Sequence, residues 1–271
     1  MNEMNPVANV SHYSVPQALI TRPKAYELVK RAVDIGVSGV GLVLIAPIFS
    51  VVAVLVRLDS KGPIFFRQTR IGQFGEAFSI IKFRTMVVNA EQVGPQVTSS
   101  DDPRMTRIGK LLRSTKIDEL PQLINVLTGE MSLVGPRPQV PRYAELFPDH
   151  QKATIFSVRP GITGPAAIKF RHEEEILQNR EDREDFYIQV LLPIKCSIDE
   201  EYVETRSLGK DAMVVWETVK ILSRGVLNRI RRRPMGQHID YPVPSYATIT
   251  QRDDAEVEDV RVPVSNRSSA A

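Results

Sequence analysis

IGVSGVGLVLIAPIFSVVAVLV, residues 35–56, is a run of 22 positions without a charged side chain. As a helix it would be about 33 Å long, enough to match the hydrocarbon core of a bilayer. The competing reading is a buried helix of a soluble core, which such a length without charge disfavours. Pro47 lies just past the middle of the run. It removes one backbone donor, and its ring meets the carbonyl four residues back, so a bend or break is expected at Ala46 and Pro47. Both flanks are basic, with Arg22, Lys24, Lys30 and Arg31 before the run and Arg57, Lys61, Arg67 and Arg70 after it. Positive charge is retained on the cytoplasmic side, and equal flanks are satisfied together when both ends lie there. The expectation is a re-entrant membrane helix hairpin over residues 26–58. A bent spanning helix stays open, because prolines are tolerated in membrane helices.

Outward from that run, 271 residues with 42% apolar and 25% charged side chains suit one sizeable core with appendages. The net charge of +3 and a pI near 9.0 are mild, and no nucleic-acid partner is expected. Cys196 is the single cysteine and there are four histidines, which excludes an intramolecular disulfide and disfavours a Cys/His zinc site. A reducing, cytoplasm-facing environment fits. Residues 1–25 lack the basic start and apolar run of a signal peptide and read as a flexible polar leader. Residues 59–86 read as two short strands around the turn IGQFGEAF, residues 71–78, and residues 87–103 as a polar loop. Helical spacing follows at 107–112 and 118–127, then a rigid Gly- and Pro-rich loop at 129–141 and a charged, solvated helix at 173–187. Residues 208–230 read as an amphipathic helix ending in Arg229, Arg231, Arg232 and Arg233, suited to an anionic membrane surface or to a core with one wet side. Residues 236–271 are polar and expected to be disordered. The fold class is mixed, mostly helical α/β, with a catalytic domain over residues 59–235.

Lys82, Arg84, Arg104, Arg107, Lys110, Arg113 and Lys116 fall within one segment that holds only three acids, and Arg137 and Arg142 follow. A basic, loop-rich region directly after a membrane segment suits phosphate at the bilayer surface, or the charges are solvated or paired with lipid headgroups. Inside it lies STKIDELPQL, residues 114–123. Pro121 is tolerated only in a first helical turn, which sets Asp118 and Glu119 at a helix N-terminus. That position favours an ionised carboxylate and attracts phosphate oxygens. Such a carboxylate can act as a nucleophile when cations suppress its repulsion from the phosphate, and Arg113 is a candidate for that task. Ordinary capping is the alternative, since Thr115 followed by Asp118 also matches a capping box.

Taken together, Lys30, Arg31 and Asp34, the proline-interrupted apolar run, GPIFFRQ (62–68), KFRTM (82–86), IDELPQL (117–123), GPRP (135–138) and RPGITG (159–164) resemble the bacterial sugar transferase family. These are the monotopic polyprenyl-phosphate phosphoglycosyl transferases that start glycan assembly, and the resemblance spans about residues 30–227 with every motif in order. It implies transfer of a sugar-1-phosphate from a UDP-sugar to undecaprenyl phosphate, as the opening step of exopolysaccharide, capsule or O-antigen assembly. Asp118 would be the nucleophile that forms a covalent phosphosugar intermediate, and Glu119 is implicated beside it in handling the acceptor's proton. Lys82, Arg84, Arg113, Arg137 and Arg159 would hold phosphate, and a Mg2+ ion would sit near Asp118. The implied location is the bacterial inner membrane among its lipids, with the catalytic domain on the cytoplasmic face; a homo-oligomer is compatible with the pattern. Two stretches depart from it. Ala46 stands where the family has a serine before the proline, and PAAIKFRHEEE (165–175) replaces the Trp, Gln-Val and Gly-Arg of familiar members, so the sugar is not specified. The rival functions are a membrane-anchored binder of anionic lipid without turnover, and a metal-dependent phosphotransferase or nuclease. The first gains nothing from two acids in a basic cluster; the second needs more metal-binding acids than Asp101 and Asp102 supply.

Overall fold

The computed structural model describes residues 23–90, 98, 102–178 and 180–230, the last six of these by backbone alone. The expected leader falls outside the described residues except for its last three positions. So do the tail over 236–271, Asp101, and the basic cluster of Arg231, Arg232 and Arg233 with the side chain of Arg229.

The apolar run forms the core of α1, Lys24–Asp59, a helix of 36 residues with Pro47 inside it. Among the described residues it is the one helix long and apolar enough to cross a membrane, and only 11% of its most apolar window is buried. A core helix of a soluble protein is mostly buried, and within this chain α1 is not. Of the bend or break expected at Ala46 and Pro47, the break is corrected: the helix continues through the proline. Proline deletes one hydrogen bond of the ladder and leaves its neighbours intact, so a helix of strongly apolar residues, whose other backbone groups have no competing partner, can carry it without ending. Ser50 sits one turn further on and donates its hydroxyl to the Ala46 carbonyl at 3.2 Å, a back-bond that also favours bending.

Both ends of α1 are fastened to the same body. Near its start, Arg31 donates to the carbonyls of Val126 and Leu127 at 2.6 and 3.0 Å. Asp34 accepts the backbone N–H of Leu133, and Lys30 reaches the Val134 carbonyl and the Asp211 carboxylate. Near its end, Val52 and Val56 pack with Phe83 and Leu112, and Phe49 meets the Phe83 ring edge-on.

After α1, β1 (Phe65–Ile71) and β2 (Ala77–Phe83) pair antiparallel, Phe65 opposite Phe83, around a turn closed by a left-handed Phe74. This is the hairpin read from the sequence. Two helices flank the carboxylate pair: α2 (Arg107–Thr115), capped by the Thr106 hydroxyl on the Gly109 N–H, and α3 (Gln122–Thr128). The Gly- and Pro-rich loop contains β3 (Ser132–Val134), which pairs in parallel with β4 (Gly161–Thr163) across α4 (Pro141–Ala144) and α5 (Asp149–Ile155). Then come α6 (Pro165–Lys169), α7 (Glu173–Gln178), α8 (Arg183–Phe186), a π turn at Tyr187–Leu191, α9 (Leu192–Thr205) and α10 (Leu208–Ile230). The single solvated helix expected over 173–187 is thus two short helices leading into a π turn. Leu177 explains the difference: it is fully buried in the main core with Tyr143, Phe147, Phe156 and Leu191, which draws the segment inward.

Candidate active site

Asp118 and Glu119 lie in a 3₁₀ turn, Ile117–Glu119, wedged between α2 and α3. Lys116 makes the turn possible by adopting a left-handed conformation, φ 59°, that ends α2. Pro121 then serves as the N-cap of α3, where its missing N–H has no helical partner to lose. The capping-box alternative fails. Thr115 is the last residue of α2, and its hydroxyl turns back to the carbonyls of Leu111 and Leu112. One turn into α3, the buried Asn125 accepts the N–H of Ile81 and donates to the carbonyl of Ser79, stitching the helix to β2. Lys82 is therefore delivered beside the carboxylates by its own strand.

The two acids differ sharply. Glu119 Oε1 accepts from Lys82 Nζ at 3.0 Å and from Arg137 Nη2 at 2.6 Å. Burial opposes its ionisation, but the Arg137 guanidinium and the Lys82 ammonium outweigh that and hold the carboxyl well below the usual range. A carboxylate so held stays charged near neutral pH and orders two cations. Asp118, 6% exposed, has its Oδ1 buried without a hydrogen-bond partner. Burial and the Glu119 charge raise its pKa, against the pull of Lys82, Lys116 and Arg113. The helix-start argument for an easily ionised Asp118 is corrected on this point. A three-residue turn offers little dipole, desolvation dominates, and two of the cations that act on Asp118 are bonded elsewhere, Lys82 to Glu119 and Arg113 to Glu174.

Arg137 is placed by a seam of backbone on backbone. Gly135 donates to the Thr163 carbonyl at 3.0 Å and Gly161 to the Pro136 carbonyl at 2.8 Å. A Cβ on Gly135 would lie 2.6 Å from the Arg159 carbonyl oxygen, and one on Gly161 would lie 2.1 Å from the Gly135 nitrogen. The glycines of the GPRP and RPGITG motifs are there for this close approach. The backbone N–H of Arg137 donates to Asp199 on α9, a buried carboxyl that burial pushes up to about 7 against the pull of Lys195 and Arg137. Asp199, Asn125 and Lys195 gave no signal in the sequence, because polar residues at helical spacing look alike whether solvated or buried.

Of the residues predicted to hold phosphate, the structure gathers Lys82 and Arg137 around the acid pair. Arg113 is close enough to act on Asp118, yet its Nε and Nη2 both bond Glu174 Oε1, at 3.0 and 2.7 Å. Arg84 is not brought to the site. It is buried and caps the end of α1 through the carbonyls of Ser60 and Lys61 at 2.7 and 3.0 Å, so its fork is spent on helix carbonyls. Arg159 donates to the Gly129 carbonyl and lines a separate small cleft with Lys30, Arg31, Asp34 and Arg206. Among the described residues no group of three or more His, Cys, Asp or Glu side chains is placed to hold a metal. The partnerless Asp118 oxygen does fit one coordination position of a divalent ion whose other ligands come from a substrate's phosphates.

A family model described as bacterial sugar transferase matches residues 25–225. The UDP-glucose:undecaprenyl-phosphate glucose-1-phosphate transferase of Escherichia coli (strain K12) is 40% identical over 223 residues, covering 81% of this chain and 44% of that protein. The protein of the same name from Caulobacter vibrioides is 38% identical over 205 residues, covering 73% of this chain and 71% of that one. Exopolysaccharide production protein ExoY of Sinorhizobium fredii is 34% identical over 213 residues, 72% of this chain and 87% of that protein. The chain thus spans less than half the length of some curated relatives and most of the length of others.

Proposed function

This chain belongs to the bacterial sugar transferase family, and from that premise we propose that it transfers a sugar-1-phosphate from a UDP-sugar to undecaprenyl phosphate and so initiates synthesis of a polysaccharide. The observation that carries the reading is a buried, partnerless carboxylate oxygen on Asp118 set among Lys82, Lys116, Arg113 and Arg137. Asp118 attacks the phosphorus bonded to the sugar. The bond to uridine monophosphate breaks, and an aspartyl phosphosugar forms. An oxygen of undecaprenyl phosphate then attacks the same phosphorus, which frees Asp118 and leaves a diphosphate-linked sugar. Glu119 keeps Lys82 and Arg137 extended toward the incoming phosphates, so the cations are ordered before the donor arrives. Mg2+, held through Asp118 and the donor's own oxygens, would supply charge neutralisation of the diphosphate.

The location of the reaction is part of the same proposal. Anchoring of both ends of α1 on one body supports a helix that enters and leaves the bilayer on the cytoplasmic face. Leu44, Val43 and Val40 on α1, and Met213, Trp216 and Val219 on α10, expose an apolar surface suited to lipid. An anionic-lipid binder without turnover is disfavoured, since burying Asp118 and Glu119 among the cations would weaken such binding.

The test is incubation of the purified protein with a panel of UDP-sugars and undecaprenyl phosphate, reading uridine monophosphate release. Without acceptor, acid-quenched protein should carry one phosphosugar by intact mass. Asp118→Asn should lose both signals, turnover falling at least about 10³-fold. Near-normal turnover in that variant defeats the covalent route.

A further inference from the structure

Arg113 closes α2 five residues before Asp118, and its charge favours the ionised form of that acid. Its fork nevertheless points to Glu174, whose Oε1 takes both Nε and Nη2. The two side chains are 22% and 32% exposed, so the pair stands open at the edge of the site. The Glu119 carboxylate that holds Lys82 and Arg137 is only 13% exposed and is sealed in by comparison. Glu174 also sits in residues 165–175, the stretch that departs from the family's pattern. A carboxylate and a phosphate offer a guanidinium fork the same chemistry, so whichever anion is present occupies it.

We propose that Glu174 is a built-in competitor for Arg113, displaced when the diphosphate of the nucleotide-sugar binds, and that it thereby sets donor affinity. This rests on the phosphoglycosyl transfer reading above. Partly exposed ion pairs between surface elements contribute little to stability, so the pair is dispensable for folding. Breaking and remaking it costs little as well. The donor diphosphate, with two charges to the one of a carboxylate, wins the exchange.

The experiment is calorimetric titration of UDP into the full-length protein in lipid nanodiscs, with Glu174→Gln and Glu174→Ala beside the wild type. Both variants should bind UDP about two- to fivefold more tightly. Placed in an Arg113→Ala background, the same substitutions should leave UDP affinity unchanged, because the competitor then has nothing to hold. Equal or weaker UDP binding by the single variants overturns the proposal. A fall in the KM for undecaprenyl phosphate with no change in UDP affinity overturns it too, by assigning Arg113 to the acceptor. Absence of turnover by the wild type with every UDP-sugar defeats the function reading instead, while the UDP titration still decides between displacement and a purely structural pair.

Discussion

Asp199 shows how one buried acid ties stability to pH. Burial raises its carboxyl from 3.8 in the unfolded chain to about 7 in the folded one. Between those values the folded protein keeps a proton that the unfolded chain has released, so stability falls as pH rises, by about 1.4 kcal/mol per pH unit. Asp199→Asn keeps an acceptor for the Arg137 N–H and removes the titration. Its unfolding midpoint should therefore gain on the wild type from about pH 4 to about pH 7 and level off above that, and parallel pH profiles for the two proteins would refute the assignment. Nothing in the sequence distinguished Asp199 from the acids on either side of it, whereas Asp118 and Glu119 were legible because Pro121 pins the turn that carries them. Arg84 and Arg159 bond backbone carbonyls away from the acid pair, which a list of charges does not reveal. A guanidinium that satisfies helix carbonyls and one that waits for phosphate have the same signature in a list of charges.

At the scale of elements, the hairpin of β1 and β2 and the helices on either side of the acid pair could be read from apolar spacing and turn residues. The parallel seam of β3 and β4 could not, since three-residue strands carry no periodicity and their pairing partners lie 29 positions apart. The course of α1 through Pro47 was open between a bend and a break, since local rules allow either in an apolar helix. The end of α1 makes a prediction that separates structure from chemistry. Arg84→Ala strips the donors from the carbonyls of Ser60 and Lys61, and should lower stability by about 1–3 kcal/mol in thermal unfolding. Donor KM should stay within about twofold of the wild type, because uniform loss of phosphate binding is what raises KM. A large KM increase at unchanged stability would return Arg84 to the phosphate site.

For the molecule as a whole, the outer surface of α1 faces away from the body that grips both its ends, and this arrangement can be mapped in cells. Single cysteines replacing Lys24 and Lys61, both exposed, should react with a membrane-impermeant maleimide only after the inner membrane is opened. Labelling of the residue-24 position in intact cells would establish a crossing helix. Cys196 need not be removed first, since it is buried and its thiol is pushed up to about 12. The sequence foretold an apolar segment and a basic site after it, but not that both flanks of the segment would be held by one body, because those contacts join residues about thirty to a hundred positions apart. The glycine seam beneath Arg137 bears on how such a protein can diversify. Contact between main chains is fixed by covalent geometry and has no rotamers to adjust, so a substitution there is met by displacement of the loops rather than by repacking. Under the proposed function, the seam keeps the backbone of Arg137 in place while side chains elsewhere around the acid pair can be exchanged one at a time.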